Sequence, residues 1–245
     1  MTQISPRSLA RTAGALYLIN IIGGAFAIGV VPGMLFVAGD PAATAHNIAS
    51  HELLYRLGIA AHVVIVMTNV AMAVIFYELF KVVDRRLALL MAFFTLVATA
   101  IESAALLNQF TPLMVLRDNS YANTITAGQG QALAYYLPFQ SAAAGYDVSS
   151  VFYAGFDLAI GFLILRSTFF PRVIGLLMAI DGIGHLLYSF ADIVAPGFAA
   201  RLVPWAQLPI LIGEGSLCLW LLFAGVNGRR WSQQADAVGP ALMAV

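Results

Sequence analysis

Apolar residues run almost unbroken through six stretches of the chain, and the polar positions within those stretches recur at helical spacing. The first stretch begins near Ala10 and lasts to about Val37, interrupted by Arg11, Thr12 and Asn20; the second opens at Ser50 and Glu52 and runs to Phe80. The third covers Leu87 to about Leu113, the fourth Tyr146 to Arg166, the fifth Arg172 to Pro196, and the last starts among Pro196, Pro204 and Pro209 and ends near Val226. About 20 apolar residues rising about 1.5 Å each cross the hydrocarbon of a bilayer. The pattern therefore predicts an all-α, polytopic bundle of six transmembrane helices, one domain over residues 1–230.

The connections carry their own signals. Asp40-Pro41 is a helix cap followed by proline at the first helical position, which predicts a short surface helix to about Ile48. Lys81, Asp84, Arg85 and Arg86 mark a tight hydrophilic turn, with Glu78 one turn away from Lys81 and expected to pair with it or with water. From Arg117 to Gly145 the residues become polar and small, and Gln131 to Leu137 is expected as a short interfacial helix, because Tyr135 and Tyr136 suit the headgroup zone. Asn227-Gly228-Arg229-Arg230 is a stop, and residues 231–245 are expected to form a disordered cytoplasmic tail.

Each apolar helix after the first carries a single polar stripe. His62 and Asn69 are seven apart; Thr95, Thr99, Glu102 and Gln109 fall at offsets 0, 4, 7 and 14. Ser150, Tyr153, Asp157 and Gly161 follow at 0, 3, 7 and 11, then Asp181, His185, Tyr188 and Asp192 at 0, 4, 7 and 11, then Gln207, Glu214 and Cys218 at 0, 7 and 11. A charge at the bilayer centre costs a few kcal/mol or more, so such groups face a partner or a wet cavity. Asp157, Asp181 and Glu214 lie about ten residues from a helix end, near mid-membrane; Glu102 lies slightly outward, and His62 and His185 lie in the outer half. The expectation is one polar interior built from His62, Asn69, Glu102, Asp157, Asp181, His185 and Glu214, joined by Asn20 and Thr99.

Composition narrows the classes. Of 245 residues, 61% are hydrophobic and 10% charged, with mean hydropathy +0.87, where soluble proteins carry about a quarter charged residues. No second, soluble domain fits, and the balance of 12 basic against 12 acidic residues argues against nucleic acid as a partner. Cys218 is the only cysteine, which excludes an intrachain disulfide and a cysteine-clustered metal site. Ala25-Phe26-Ala27 resembles a leader cleavage site, but apolar residues continue well past it, and the first stretch is expected as a retained span. Across six spans, Arg7, Arg11, Lys81, Arg85, Arg86, Arg166, Arg172, Arg229 and Arg230 share one side, nine of the twelve basic residues. Arg56, Arg117 and Arg201 fall opposite, so both termini are expected in the cytoplasm of a cell with this protein in its inner membrane.

Three chemistries fit such an interior. Protonated carboxyls and neutral histidines can hold helices in register by hydrogen bonds. Alternatively, carboxylates can take up a proton, a cation or a small molecule in a transport cavity, as acids within spans often do. Glu102-Ser103 echoed by Glu214-Gly215-Ser216, and His62 by His185, then hints at an inverted repeat of three plus three spans. The third chemistry is a membrane-embedded metal enzyme, since carboxylate oxygen and imidazole suit zinc, iron or manganese, and Asp181 and His185 at i and i+4 reach one ion. No H-E-x-x-H or paired E-x-x-H supports this, no G-x-S-x-G turn supplies a nucleophile, and haem ligation by His62 and His185 has no motif. No residue pattern specifies a cofactor or an oligomeric state.

The loops and helix ends nevertheless carry a recognisable set. Arg11-Thr12-Ala13-Gly14 with Leu16-Tyr17-Leu18, Gly39-Asp40-Pro41-Ala42-Ala43-Thr44-Ala45 and Tyr55-Arg56-Leu57-Gly58 come first. Tyr77-Glu78-Leu79-Phe80, Leu163-Ile164-Leu165-Arg166-Ser167 and Pro171-Arg172-Val173-Ile174-Gly175 follow. In these the chain resembles a bacterial multi-pass integral membrane family catalogued as domain of unknown function 4386. The resemblance spans nearly all of the chain except its tail. It implies six or seven membrane-crossing helices, and it implies no activity and no catalytic residues.

Overall fold

A computed structural model describes residues 5–117, 130 and 132–242. Among them there is no strand. Helix α1 is Pro6–Leu35, α2 is Pro41–Ser50, α3 is Glu52–Phe80, α4 is Arg85–Val115 and α5 is Ala132–Arg166. Helices α6 (Arg172–Val194), α7 (Pro196–Leu219) and α8 (Gly228–Leu242) complete the chain. Five of these, α1, α3, α4, α5 and α6, are by themselves long and apolar enough to cross a membrane; Leu208–Ala224 reaches that length only together with Gly228–Ala237.

The polarity is inverted relative to a water-soluble protein. Val74, Leu187 and Met67 are 61%, 65% and 67% exposed, while His62, Glu102, Asp157, Asp181 and His185 are all buried. Water would penalise the first set and reward exposure of the second, so the solvent for this surface is lipid. The chain is a polytopic helical membrane protein.

Three of the helices depart from α geometry just before a proline, whose backbone has no donor. A π-helical stretch, Ala25–Val30, precedes Pro32; a 3-10 turn, Asn108–Phe110, precedes Pro112; and a second π-helical stretch, Ala132–Tyr136, precedes Pro138. In each case the preceding turn loosens or tightens to accommodate a ring that would clash with the carbonyl four residues back. The expected interfacial helix at Gln131 to Leu137 is therefore the first turn of α5, although Gln131 itself lies outside the described residues. The predicted surface helix forms as α2, where the Asp40 carboxylate accepts from the Ala43 amide at 2.9 Å.

The C-terminal segment corrects an expectation. Residues 231–242 belong to a helix and not to a disordered tail. The stop is real, since Gly225 adopts a left-handed φ of 66° that ends the preceding π-helical stretch Trp220–Ala224. Asn227 then starts a new helix by accepting from the Arg230 amide at 3.1 Å, and α8 leaves at 103° to Leu208–Ala224.

The chain divides into two compact units where the sequence suggests a single bundle. One contains Met1–Leu18, Thr68–Ala98 and Ser149–Val245; the other contains Ile19–Met67 and Thr99–Val148. In the second, Val31, Leu35, Ile48, Tyr55, Leu106 and Tyr135 form a core, tied by the Tyr55 hydroxyl donating to the Gln109 carbonyl at 2.7 Å.

The first unit is built on glycine contacts. A Cβ on Gly161 of α5 would lie 2.8 Å from the Gly175 carbonyl oxygen of α6, and one on Gly175 would lie 2.7 Å from the Gly161 carbonyl oxygen. Two turns along, a Cβ on Gly182 would meet the Ala154 carbonyl oxygen at 3.0 Å. The two backbones thus touch at heptad-spaced positions, the close approach that small residues permit between membrane helices. Gly14 of α1 likewise abuts the backbone of Leu222, where any Cβ would sit 2.5 Å from the amide nitrogen.

Replacing Gly161 by valine should cost about 1–3 kcal/mol through forced separation of α5 and α6. Gly215→Ala, where no described atom outside its own helical backbone and chain neighbours lies within 4 Å of the added carbon, should be neutral or slightly stabilising. Unfolding of both variants in detergent checks this, and equal loss in the two would show that the contact is not limiting.

Candidate functional site

The touching of α5 and α6 has a chemical result. Aspartate reaches only a short way from its backbone, so two helices must come close before an Asp on one can meet a polar group on the other. Asp157 projects from α5 between Ala154 and Gly161, and its Oδ2 shares a hydrogen bond with Nδ1 of His185 on α6 at 3.0 Å. Asp181, one turn before His185, has Oδ1 3.4 Å from the same ring nitrogen. Asp157, Asp181 and His185 are 1%, 0% and 7% exposed. One ligand atom from each of the three lies within 4.8 Å of the other two.

Asp181 is the unusual member. Neither of its carboxylate oxygens has a hydrogen-bond partner among the described residues. Burying a carboxyl without partners costs several kcal/mol, and natural structures seldom leave one so. Gly213 of α7 closes one side of it, since a Cβ there would fall 2.8 Å from both Cβ and Oδ2 of Asp181. Glu214, the next residue, is half-buried and interacts electrostatically with Asp157, Asp181 and His185. Tyr17 of α1 is buried and lies within electrostatic reach of all three acids.

Four of the expected site residues, Asp157, Asp181, His185 and Glu214, thus meet within one unit. Asn69 belongs to the same unit and donates to the Tyr153 hydroxyl at 2.7 Å, one turn before Asp157 on α5. His62 and Glu102 belong to the other unit, where His62 Nε2 and Glu102 Oε1 are 2.7 Å apart and both side chains are buried. His62 Nδ1 is buried without a hydrogen-bond partner among the described residues. Glu78 and Lys81 pair at 2.6 Å, as the spacing predicts.

Three residues at the site lie outside the polar stripes. Gly213 matters through its missing side chain, which no polarity pattern reveals. Tyr17 reads as an aromatic in an apolar run. Ser189 is fully buried, its hydroxyl without a hydrogen-bond partner among the described residues, and it follows Asp181 and His185 at a spacing of four.

Chemically, two carboxylates and an imidazole form an oxygen and nitrogen donor set of the kind that holds divalent first-row metals, and they can equally hold protons. In the other unit, the His62 and Glu102 pair offers one bridging proton and one further ring nitrogen.

Buried acid–histidine clusters inside an apolar helical bundle define a multi-pass membrane protein with ionisable groups at its core. The chain belongs to the family described as domain of unknown function DUF4386, whose model matches residues 12–225. No curated protein and no solved structure matches it.

Glu102→Leu should cost about 3–5 kcal/mol, because it strands His62 in an apolar surround, and His62→Phe combined with Glu102→Leu should recover most of that loss. A double-mutant cycle on detergent unfolding measures the coupling, and simple additivity would show that the two side chains do not act as a pair.

Proposed function

We propose that this protein binds a divalent first-row metal cation within the membrane, through Asp157, Asp181 and His185, and exchanges it against protons. One observation carries the reading: Asp181 is buried with neither carboxylate oxygen hydrogen-bonded among the described residues, beside a second acid and an imidazole. A divalent ion with two carboxylates and a neutral imidazole sums to zero charge, which a low-dielectric interior favours, whereas a monovalent ion leaves one negative charge. Without the ion, protons supply the same neutrality. Proton exchange is the natural step of a cation carrier, and transport is the function this site serves best. The competing structural reading draws support from the His185–Asp157 hydrogen bond, which needs no ion.

Protein purified in detergent and equilibrated with manganese, iron(II) or zinc should retain about one ion per chain. Asp181→Asn should weaken binding at least roughly tenfold, and affinity should fall by about tenfold per pH unit for each proton displaced as the pH is lowered. Equal binding by wild type and Asp181→Asn would leave the structural reading in its place.

We also propose the bacterial inner membrane as the location, with both termini cytoplasmic, on the strength of the nine basic residues that share one side. Cys218 is buried, so an introduced cysteine reports alone. Ser232→Cys should react with an impermeant maleimide only after the cells are opened, and His51→Cys should react in intact cells; the reverse pattern would invert the topology.

A further inference from the structure

Helix α8 is fastened to two turns of its own unit. Trp231 donates its indole N–H to the Leu79 carbonyl at 2.8 Å, and Gln234 Oε1 accepts from both the amide and the hydroxyl of Thr168, each at 3.0 Å. Arg230 Nη1 donates to the Thr168 carbonyl at 3.3 Å. Trp231, Gln234 and Ala235 therefore occupy the inward face, while Arg229 and Ser232 are exposed. Alongside the helix lies a groove of about 800 Å³, lined among others by Thr168, Phe170, Arg172, Arg230 and Gln233. No acidic side chain is among its described lining residues.

The depth of this groove follows from the ends of the spans. Arg166 is the last residue of α5, Arg172 the first of α6, and α8 begins three residues after Gly225 closes the last apolar helix. Apolar helices end where hydrocarbon gives way to headgroups, and a helix that leaves such an end at 103° runs along the membrane surface. Arg166 is already engaged with the face of Phe162, its guanidinium carbon 4.3 Å from the ring centre. Arg172 is exposed, and Arg230 spends one of five N–H donors on Thr168. Two guanidinium groups thus line a groove with no acid among its described residues, at the level of lipid phosphates, with the Phe170 ring as an apolar wall.

We propose that the groove beside α8 binds the phosphate of an anionic phospholipid, with Arg172 and Arg230 as its ligands. Guanidinium groups suit phosphate through paired N–H donors, and a surface arginine adds about 1 kcal/mol of attraction to an anionic leaflet, about fivefold in affinity.

Full-length protein in neutral detergent, mixed with equal amounts of phosphatidylglycerol and phosphatidylcholine and read by native mass spectrometry, should retain phosphatidylglycerol preferentially. Arg172→Gln should weaken retention about fivefold and Arg172→Gln with Arg230→Gln about twenty-five-fold, while Arg229→Gln, outside the groove, leaves it unchanged. An unshifted melting temperature for lipid-free Arg172→Gln separates lost binding from lost folding, since that side chain is exposed. Equal retention of the two lipids would overturn the proposal. So would displacement of the lipid by millimolar inorganic phosphate, which would make the site one for free phosphate, or an equal loss in Arg229→Gln, which would make the attraction diffuse.

Discussion

The cost of removing an ionisable side chain from water governs this molecule. In lipid the apolar surface needs no covering, as the exposure of Val74, Leu187 and Met67 shows. What needs covering is the polar set. Since hydrophobic burial does not drive one apolar helix against another inside a bilayer, packing and polar contacts must do so. The glycine seam and the acid cluster are therefore two parts of one arrangement. Gly161 against Gly175, and Gly182 against the Ala154 carbonyl, bring α5 and α6 near enough for the short Asp157 side chain to reach His185. A larger residue at these glycines would part the helices and leave both groups stranded.

The sequence makes much of this legible, for definite reasons. Apolar runs longer than a bilayer's thickness locate the spans, and Asp40-Pro41 locates a helix start that Asp40 caps as expected. Stripe periodicity tells which face of a helix is polar. It does not tell which stripes meet, because that depends on helix order and axial offset. Hence Asp157, Asp181, His185 and Glu214 could be singled out, but their grouping in one unit and that of His62 with Glu102 in the other could not. Contacts made by absence, such as Gly213 on Asp181, leave no mark in a polarity pattern. The C-terminal helix is hidden because Asn227-Gly228 serves as a stop and a start at once, although Trp231, Ala235, Val238 and Leu242 lie at offsets 0, 4, 7 and 11.

Membership of a family without an assigned activity brings no functional residues with it, so function here has to be argued from the site. Within the site the two aspartates are not equivalent. Asp157 is satisfied: His185 shares a hydrogen bond with it, and a protonated or ionised form can each be accommodated by moving one proton across 3.0 Å. Asp181 has the His185 ring at 3.4 Å without a hydrogen bond and the backbone of α7 against its other side. A cluster whose only task was to hold helices together would gain nothing from that second carboxyl. An apolar residue of similar size would fill the same space without the desolvation cost. An acid kept there needs a partner, and the cation proposed for this site, beside Asp157 and His185, would supply one and neutralise all three groups.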